Sequence, residues 1–150
     1  YMARGRVGLN RLSFLNREWA WWAHETLDRY VASRLRAAGI LIALSGSGQY
    51  AGRQMQRLGG YHICDRGSSH IRVQEELLRE EYQRYGVKWR GIDPRIITKE
   101  EAEYDQANFI SVPSQFCVDS FLERGIPADR ILKIPYGARL DRFSRFQTPE

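Results

Sequence analysis

The chain has 150 residues, 43% of them hydrophobic and 27% charged, which is ordinary for one globular domain with a real core. Its longest apolar run, Ala37 to Leu44 broken by Gly39, is too short to cross a bilayer as a helix. Cys64 and Cys117 are the only cysteines and show neither C-x-x-C nor Cys/His ligand spacing. That excludes a disulfide-rich scaffold and a zinc ribbon, and fits two buried thiols in a reducing cytoplasm.

The net charge of +5 is uneven. Up to Ile40, seven arginines stand against Glu18, Glu25 and Asp28, a net of +4. The excess reads either as a solvated helix face or as attraction to an anionic partner, a membrane surface or a phosphorylated substrate. No nucleic-acid-binding motif accompanies it, so nucleic acid is not an expected partner.

Residues 1–15 show no period, and Tyr1 ahead of Met2 suggests an excised or incomplete sequence. Trp19, Ala23, Leu27, Tyr30, Val31 and Leu35 recur at three- and four-residue spacing, predicting one amphipathic helix over 17–38 that Gly39 stops in a left-handed turn. Trp19, Trp21 and Trp22 are more apolar than one face needs. They imply a helix covered on two sides, or else an exposed patch.

Ile40 to Leu44 reads as a strand buried on both faces. The turn Ser45-Gly46-Ser47-Gly48 follows, then a helical segment to Leu58. Such a turn is either a plain connection or a place where Gly46, Ser47 and Gly48 bring backbone N–H groups to a phosphate or sugar. It is neither a dinucleotide fingerprint nor a P-loop. Tyr61 to Cys64 is the next strand.

Asp65-Arg66-Gly67-Ser68-Ser69-His70 then offers a carboxylate, a guanidinium, hydroxyls and an imidazole at the carboxyl end of a parallel strand, where open α/β sheets bind ligands. The plainer reading is a Ser68 or Ser69 helix cap with an Asp–Arg pair. His70 reads equally as a solvent-facing helix residue. A charged helix runs to about Tyr85, with Glu75–Arg79 and Glu80–Arg84 pairs, and Gly86 ends it. Val87 to Asp93 reads as a loop. Thr98-Lys99-Glu100-Glu101 reads as a capping box that opens a helix to about Ala107.

Phe109 to Val112 is a third strand. Ser114 caps a helix that Gly125 closes, and Ile131 to Ile134 is a fourth strand, broken by Pro135-Tyr136-Gly137. Strand, helix, strand at this length is a βαβ unit with parallel neighbours. The whole pattern predicts an α/β, Rossmann-like layered fold with a mainly parallel sheet of about four strands.

Two stretches carry a family resemblance. One is Asp65 to Ile71 with Gln74-Glu75-Glu76 and Glu80-Glu81-Tyr82. The other runs from Glu103 to Asn108, through Val112-Pro113-Ser114-Gln115-Phe116, Ser120-Phe121 and Gly125, to Ile134-Pro135-Tyr136-Gly137, Asp141 and Phe143. Together they resemble the amino-terminal half of family 4 glycosyltransferases, which have the GT-B fold. The resemblance spans about residues 25 to 143.

It implies a partial amino-terminal, acceptor-side domain over 1–143, with 144–150 starting an interdomain connection or tail. The implied activity is transfer, with retention, of a sugar from a nucleotide-sugar donor to a glycan or lipid-linked acceptor. No metal or cofactor is implied; the nucleotide sugar is a substrate held mostly by a second domain. Asn108 replaces a usual Asp, Ala138 a common Val, and Arg139-Leu140 a usual Asp. No two glutamates stand eight positions apart, as the family's donor-site pair does.

The expected substrate-binding residues are Gly46, Ser47, Gly48, Asp65, Arg66, Ser68, Ser114, Tyr136, Gly137 and Arg139, with Arg66 the anion ligand and catalytic residues unassigned. The expected location is cytoplasmic, with a peripheral place at the inner membrane face as an open option. The alternative is a non-catalytic Rossmann-like module binding a nucleotide or a partner, with or without membrane association.

Overall fold

The computed structural model describes residues 13–37 and 39–137. Helix α1 (Ser13–Arg34) precedes strand β1 (Ile40–Leu44). Then follow α2 (Gln49–Arg57), β2 (Tyr61–Asp65), α3 (Ile71–Arg84), α4 (Pro94–Gln106), β3 (Phe109–Val112), α5 (Gln115–Leu122) and β4 (Ile131–Lys133). The strands form one all-parallel sheet in the order β1-β2-β3-β4. This is the expected α/β, Rossmann-like layered fold, and β3–α5–β4 is the expected parallel pair, with Ile110 beside Ile131.

Residues in register share a face of a parallel sheet. One face carries His62, Cys64, Ile110 and Val112, all buried. It packs on Ile71 of α3, Ile97 and Tyr104 of α4, and Cys117 and Phe121 of α5, which form one core. Both cysteines are free thiols inside it.

The other face carries Ile40, Ile42, Leu44 and Tyr61. Ile42 and Leu44 are 65% and 68% exposed, so β1 is not buried on both faces as its composition suggests. The reason is topological. The strands advance in one direction, and right-handed crossovers then place every connecting helix on the same side. β1 is also an edge strand.

Caps decide where helices begin. Ser114 accepts from the Cys117 N–H, as expected, and Gly86 (φ 63°) and Gly125 (φ 84°) supply the left-handed stops. Elsewhere the expected boundaries shift. Asp93 caps α4 by accepting from the Arg95 N–H, with Pro94 in the first turn, so the helix starts four residues before Thr98. His70, not Ser68 or Ser69, caps α3: its Nδ1 accepts from the Arg72 N–H. α1 ends at Arg34, and Gly39 has no positive φ. On α3, Arg79 pairs with Glu75 as expected, but Arg84 pairs with Glu81, one residue from the expected partner.

α1 turns the opposite way from its apolar period. Trp19 is 74% and Trp22 58% exposed, and Leu27 and Tyr30 also face outward, so the aromatic cluster is not covered on two sides. Inward are Glu25 and Asp28, which meet Lys99 of α4 at 3.0 and 2.8 Å. Arg95 adds a second tie: it pairs with Glu18 and Asp93 and lies 5.1 Å from the Trp21 ring. Polar pairing, more than apolar burial, decides how this helix is seated.

His70 is buried, its ring 5.1 Å from those of Tyr104 and Phe121. Burial lowers its pKa from 6.5 to about 4. Above pH 6.5 the imidazole is neutral in both folded and unfolded chains. As pH falls from 6.5 to 4 the unfolded chain takes up a proton that the folded one resists. Stability is therefore lost in that window, by at most about 3 kcal/mol. Urea unfolding at pH 7 and pH 4.5 should show this loss. His70→Asn keeps a capping side chain and should flatten the difference; an unchanged pH slope would contradict the assignment.

Candidate functional site

The carboxyl ends of the strands carry the residues singled out by sequence, and α4 reaches up beneath them. Its inward positions are Ile97, Lys99, Glu100, Glu103 and Tyr104, all buried. Three of these five are charged, and each is met by a different part of the chain.

Glu103 serves the glycine-rich turn. Its Oε2 accepts from the Gly46 N–H at 2.8 Å and the Gly48 N–H at 3.3 Å. Glycine is required at both positions, for different reasons. Gly46 has φ 82°. A Cβ on Gly48 would come within 2.6 Å of Glu103 Oε1 and of the Ala43 Cβ. Beside them, His62 Nε2 lies 3.5 Å from Glu103 Oε1, and Gly52 leaves room for its ring. Both His62 ring nitrogens and Glu103 Oε1 are buried without a hydrogen-bond partner.

Asp28 serves the start of α2. It accepts from the N–H groups of Tyr50 and Ala51, while Gly48, the residue at the cap position, contributes no side-chain cap. A helix N-terminus after a glycine turn is where an anionic ligand would sit. Here two carboxylates of the chain itself, Glu103 and Asp28, take those donors.

Glu100 serves Arg66. The guanidinium Nη1 lies 2.9 Å from Glu100 Oε2. Nε donates to the Ser69 carbonyl at 3.0 Å and Nη2 to Gln74 at 2.5 Å. Ser45 and Tyr104 hydroxyls also donate to Glu100. Burial and the Glu100 charge raise the Tyr104 pKa, which keeps that phenol a donor. Arg66 is thus buried and engaged on three sides, tying the β2 loop to α3 and α4. The anion expected at this arginine is the chain's own Glu100.

What stays accessible is a polar rim. Asp65 accepts from the Ser111 hydroxyl at 2.6 Å, joining the ends of β2 and β3. Tyr136, exposed after β4, donates to the Gly67 carbonyl at 3.3 Å. The Ser47 hydroxyl is 3.1 Å from His24 Nδ1. Ser68 is half-buried, and Gly137 is exposed. Ser114, exposed, spends its oxygen on the α5 cap. Arg139, with Ala138, Leu140 and Asp141, lies outside the described residues.

Sequence reading missed Asp28, Lys99, Glu100, Glu103 and Ser111. The available signal was spacing: Ile97, Glu100, Glu103, Tyr104 and Ala107 form one helical face. Among the described residues, no three His, Cys, Asp or Glu side chains are grouped to hold a metal ion, and no helix is long and apolar enough to cross a membrane. Comparison of the chain with protein-family models, with curated proteins and with solved structures found no match.

Glu103→Ala should cost about 3 kcal/mol or more, because it strips two buried N–H groups of their acceptor and opens a cavity. Chemical denaturation checks this. A loss below about 1 kcal/mol, the ordinary range for surface changes, would mean that the turn does not depend on the carboxylate.

Proposed function

We propose that this chain is the acceptor-side domain of a retaining, nucleotide-sugar-dependent glycosyltransferase of family 4, with the GT-B architecture. The sequence motifs supply the resemblance. One observation carries it into three dimensions: the Tyr136 hydroxyl bonds the Gly67 carbonyl at 3.3 Å. Parts of the two stretches on which the resemblance rests, Asp65–Ser69 of one and Ile134–Gly137 of the other, thereby meet at the carboxyl end of the sheet. That end is where open α/β folds bind ligands.

The chemistry favours a neutral, hydroxyl-bearing ligand over a nucleotide. A diphosphate at the start of α2 would face Glu103 and Asp28 and find the N–H donors already engaged. Like charges at such range are unfavourable. Asp65, Ser47, Ser68 and the Tyr136 hydroxyl suit sugar hydroxyls instead. The proposal divides the labour accordingly. This domain orients the acceptor oxygen, a proximity contribution; a partner domain stabilises the departing nucleoside diphosphate. The same occupied donors weigh against the rival reading of a free-standing nucleotide-binding module.

Two measurements test this. The coding frame beyond residue 150 should encode a second Rossmann-like domain with two glutamates eight positions apart; a frame closing without one favours the binding module. In the product of the whole frame, nucleoside diphosphate release from a panel of nucleotide sugars should depend on a glycan or lipid-linked acceptor. Asp65→Asn should raise the acceptor KM or lower kcat by about tenfold, the loss of one charge-assisted hydrogen bond. Its melting temperature should stay within a few degrees. Unchanged kinetics would remove Asp65 from the site.

A further inference from the structure

A cavity of about 300 Å³ opens between α1 and α2, lined by Arg29, Ala32, Tyr50, Arg53, Gln54 and Arg57. It is separate from the rim described above. α2 runs from the carboxyl end of β1 back toward the amino end of β2, so Arg53 and Arg57 lead away from the rim. Arg53 and Arg57 are four residues apart and so share a face of α2. Arg29 completes the wall from α1.

The charge count in this groove does not close. Nearby Glu25 and Asp28 carry two negative charges. Lys99 bonds both, and Arg29 pairs with Glu25 at 2.7 Å, so two cations answer two anions. Arg29 is held further by the Tyr50 hydroxyl at 2.8 Å, with its guanidinium 4.2 Å from that ring. Among the described residues, Arg53 donates only to the neutral side chain of Gln106, at 2.9 Å. Arg57 makes no ion pair among the described residues and is exposed. Its place in the last turn of α2 accounts for one favourable interaction, with the helix dipole. The dipole does not explain a second uncompensated guanidinium one turn earlier, facing a cavity.

We infer that the α1–α2 groove is a binding site for a phosphate group, held by Arg29, Arg53 and Arg57 with the Gln54 amide beside them. Guanidinium forks match phosphate oxygens in bidentate geometry. Arg29 is pre-oriented by Glu25 and Tyr50, which lowers the ordering cost of binding. The phosphate belongs either to a soluble phosphorylated molecule or to an anionic lipid headgroup. The site does not rest on the glycosyltransferase reading and stands or falls separately from it.

The test uses the 150-residue chain and two probes. Inorganic phosphate is titrated while the arginine Nε–Hε NMR signals are followed. Flotation is measured with phosphatidylcholine vesicles containing or lacking phosphatidic acid. Saturable shifts at Arg29, Arg53 and Arg57 support the site and a soluble source. Flotation that requires phosphatidic acid supports it with a headgroup source. In either arm Arg53→Gln with Arg57→Gln should weaken binding by about tenfold or more, as expected for lost charge-assisted hydrogen bonds. Both positions are exposed, so folding should persist. Arg84→Gln with Lys88→Gln removes the same charge from another surface and should leave binding intact. Absence of binding in both arms, or an equal loss in this control pair, overturns the proposal.

Discussion

The structure depends on how α4 compensates the charges it buries. Lys99, Glu100 and Glu103 are 3%, 5% and 0% exposed. An ionised group removed from water is costly unless it is paired and hydrogen-bonded. Each of the three therefore recruits a partner from outside the helix: Glu25 and Asp28 on α1, Arg66 after β2, and the Gly46 and Gly48 N–H groups after β1. Those partners then have little freedom to lie anywhere else. The seating of α1, the shape of the glycine turn and the fold of the β2 loop all follow from one helix face. Arg130 secures the far end of α4 by donating to the carbonyls of Tyr104, Asp105 and Ala107. That supplies the cation that the last turn itself lacks.

This arrangement has a cost in binding potential. A glycine-rich turn leading into a helix presents several N–H donors in one direction, which usually invites an anion. Here the invitation is answered from within. The turn, α2 and Arg66 become parts of the frame, and the polar groups left outside it are Asp65, Ser47, Ser68 and the Tyr136 hydroxyl. On the proposed reading this suits an acceptor domain, whose ligand is recognised through hydroxyls. It also explains why the strongest sequence candidate for an anion ligand, Arg66, and the most obvious ligand-facing turn are both structural.

Much of the fold was legible because its signals are local. Four β-rich runs separated by helical segments give the parallel sheet, and Ser114, Gly86 and Gly125 mark ends by backbone chemistry alone. The site was less legible, because its decisive contacts join residues distant in sequence. Thr98-Lys99-Glu100-Glu101 has the pattern of a capping box, yet Asp93-Pro94 starts the helix earlier and leaves these residues mid-helix, with Lys99 and Glu100 facing inward. α1 shows the same failure in reverse. Its apolar period is real, but Glu25 and Asp28 follow an inward period of their own. Pairing with Lys99 outweighs burial of Trp19 and Leu27, since turning the two carboxylates away would leave Lys99 buried and unpaired, which costs more than exposing apolar surface. Composition cannot reveal which of two faces has a partner waiting.

The open face of the sheet follows from the same logic of direction. With strands advancing from β1 to β4 and crossovers of one hand, every described connecting helix falls on the His62–Val112 side. Ile40, Ile42, Leu44 and Tyr61 are left as an apolar stripe on the other side. In doubly wound folds the second helical layer arises where strand order reverses, and the ligand crevice opens at that reversal. In the described sheet the strand on which such a reversal would begin is β1, the strand that ends in Ser45-Gly46-Ser47-Gly48. The turn that Glu103 and Asp28 hold rigid is therefore the one that would border the crevice. On the proposed reading, a wall held in this way would fix where an acceptor hydroxyl stands.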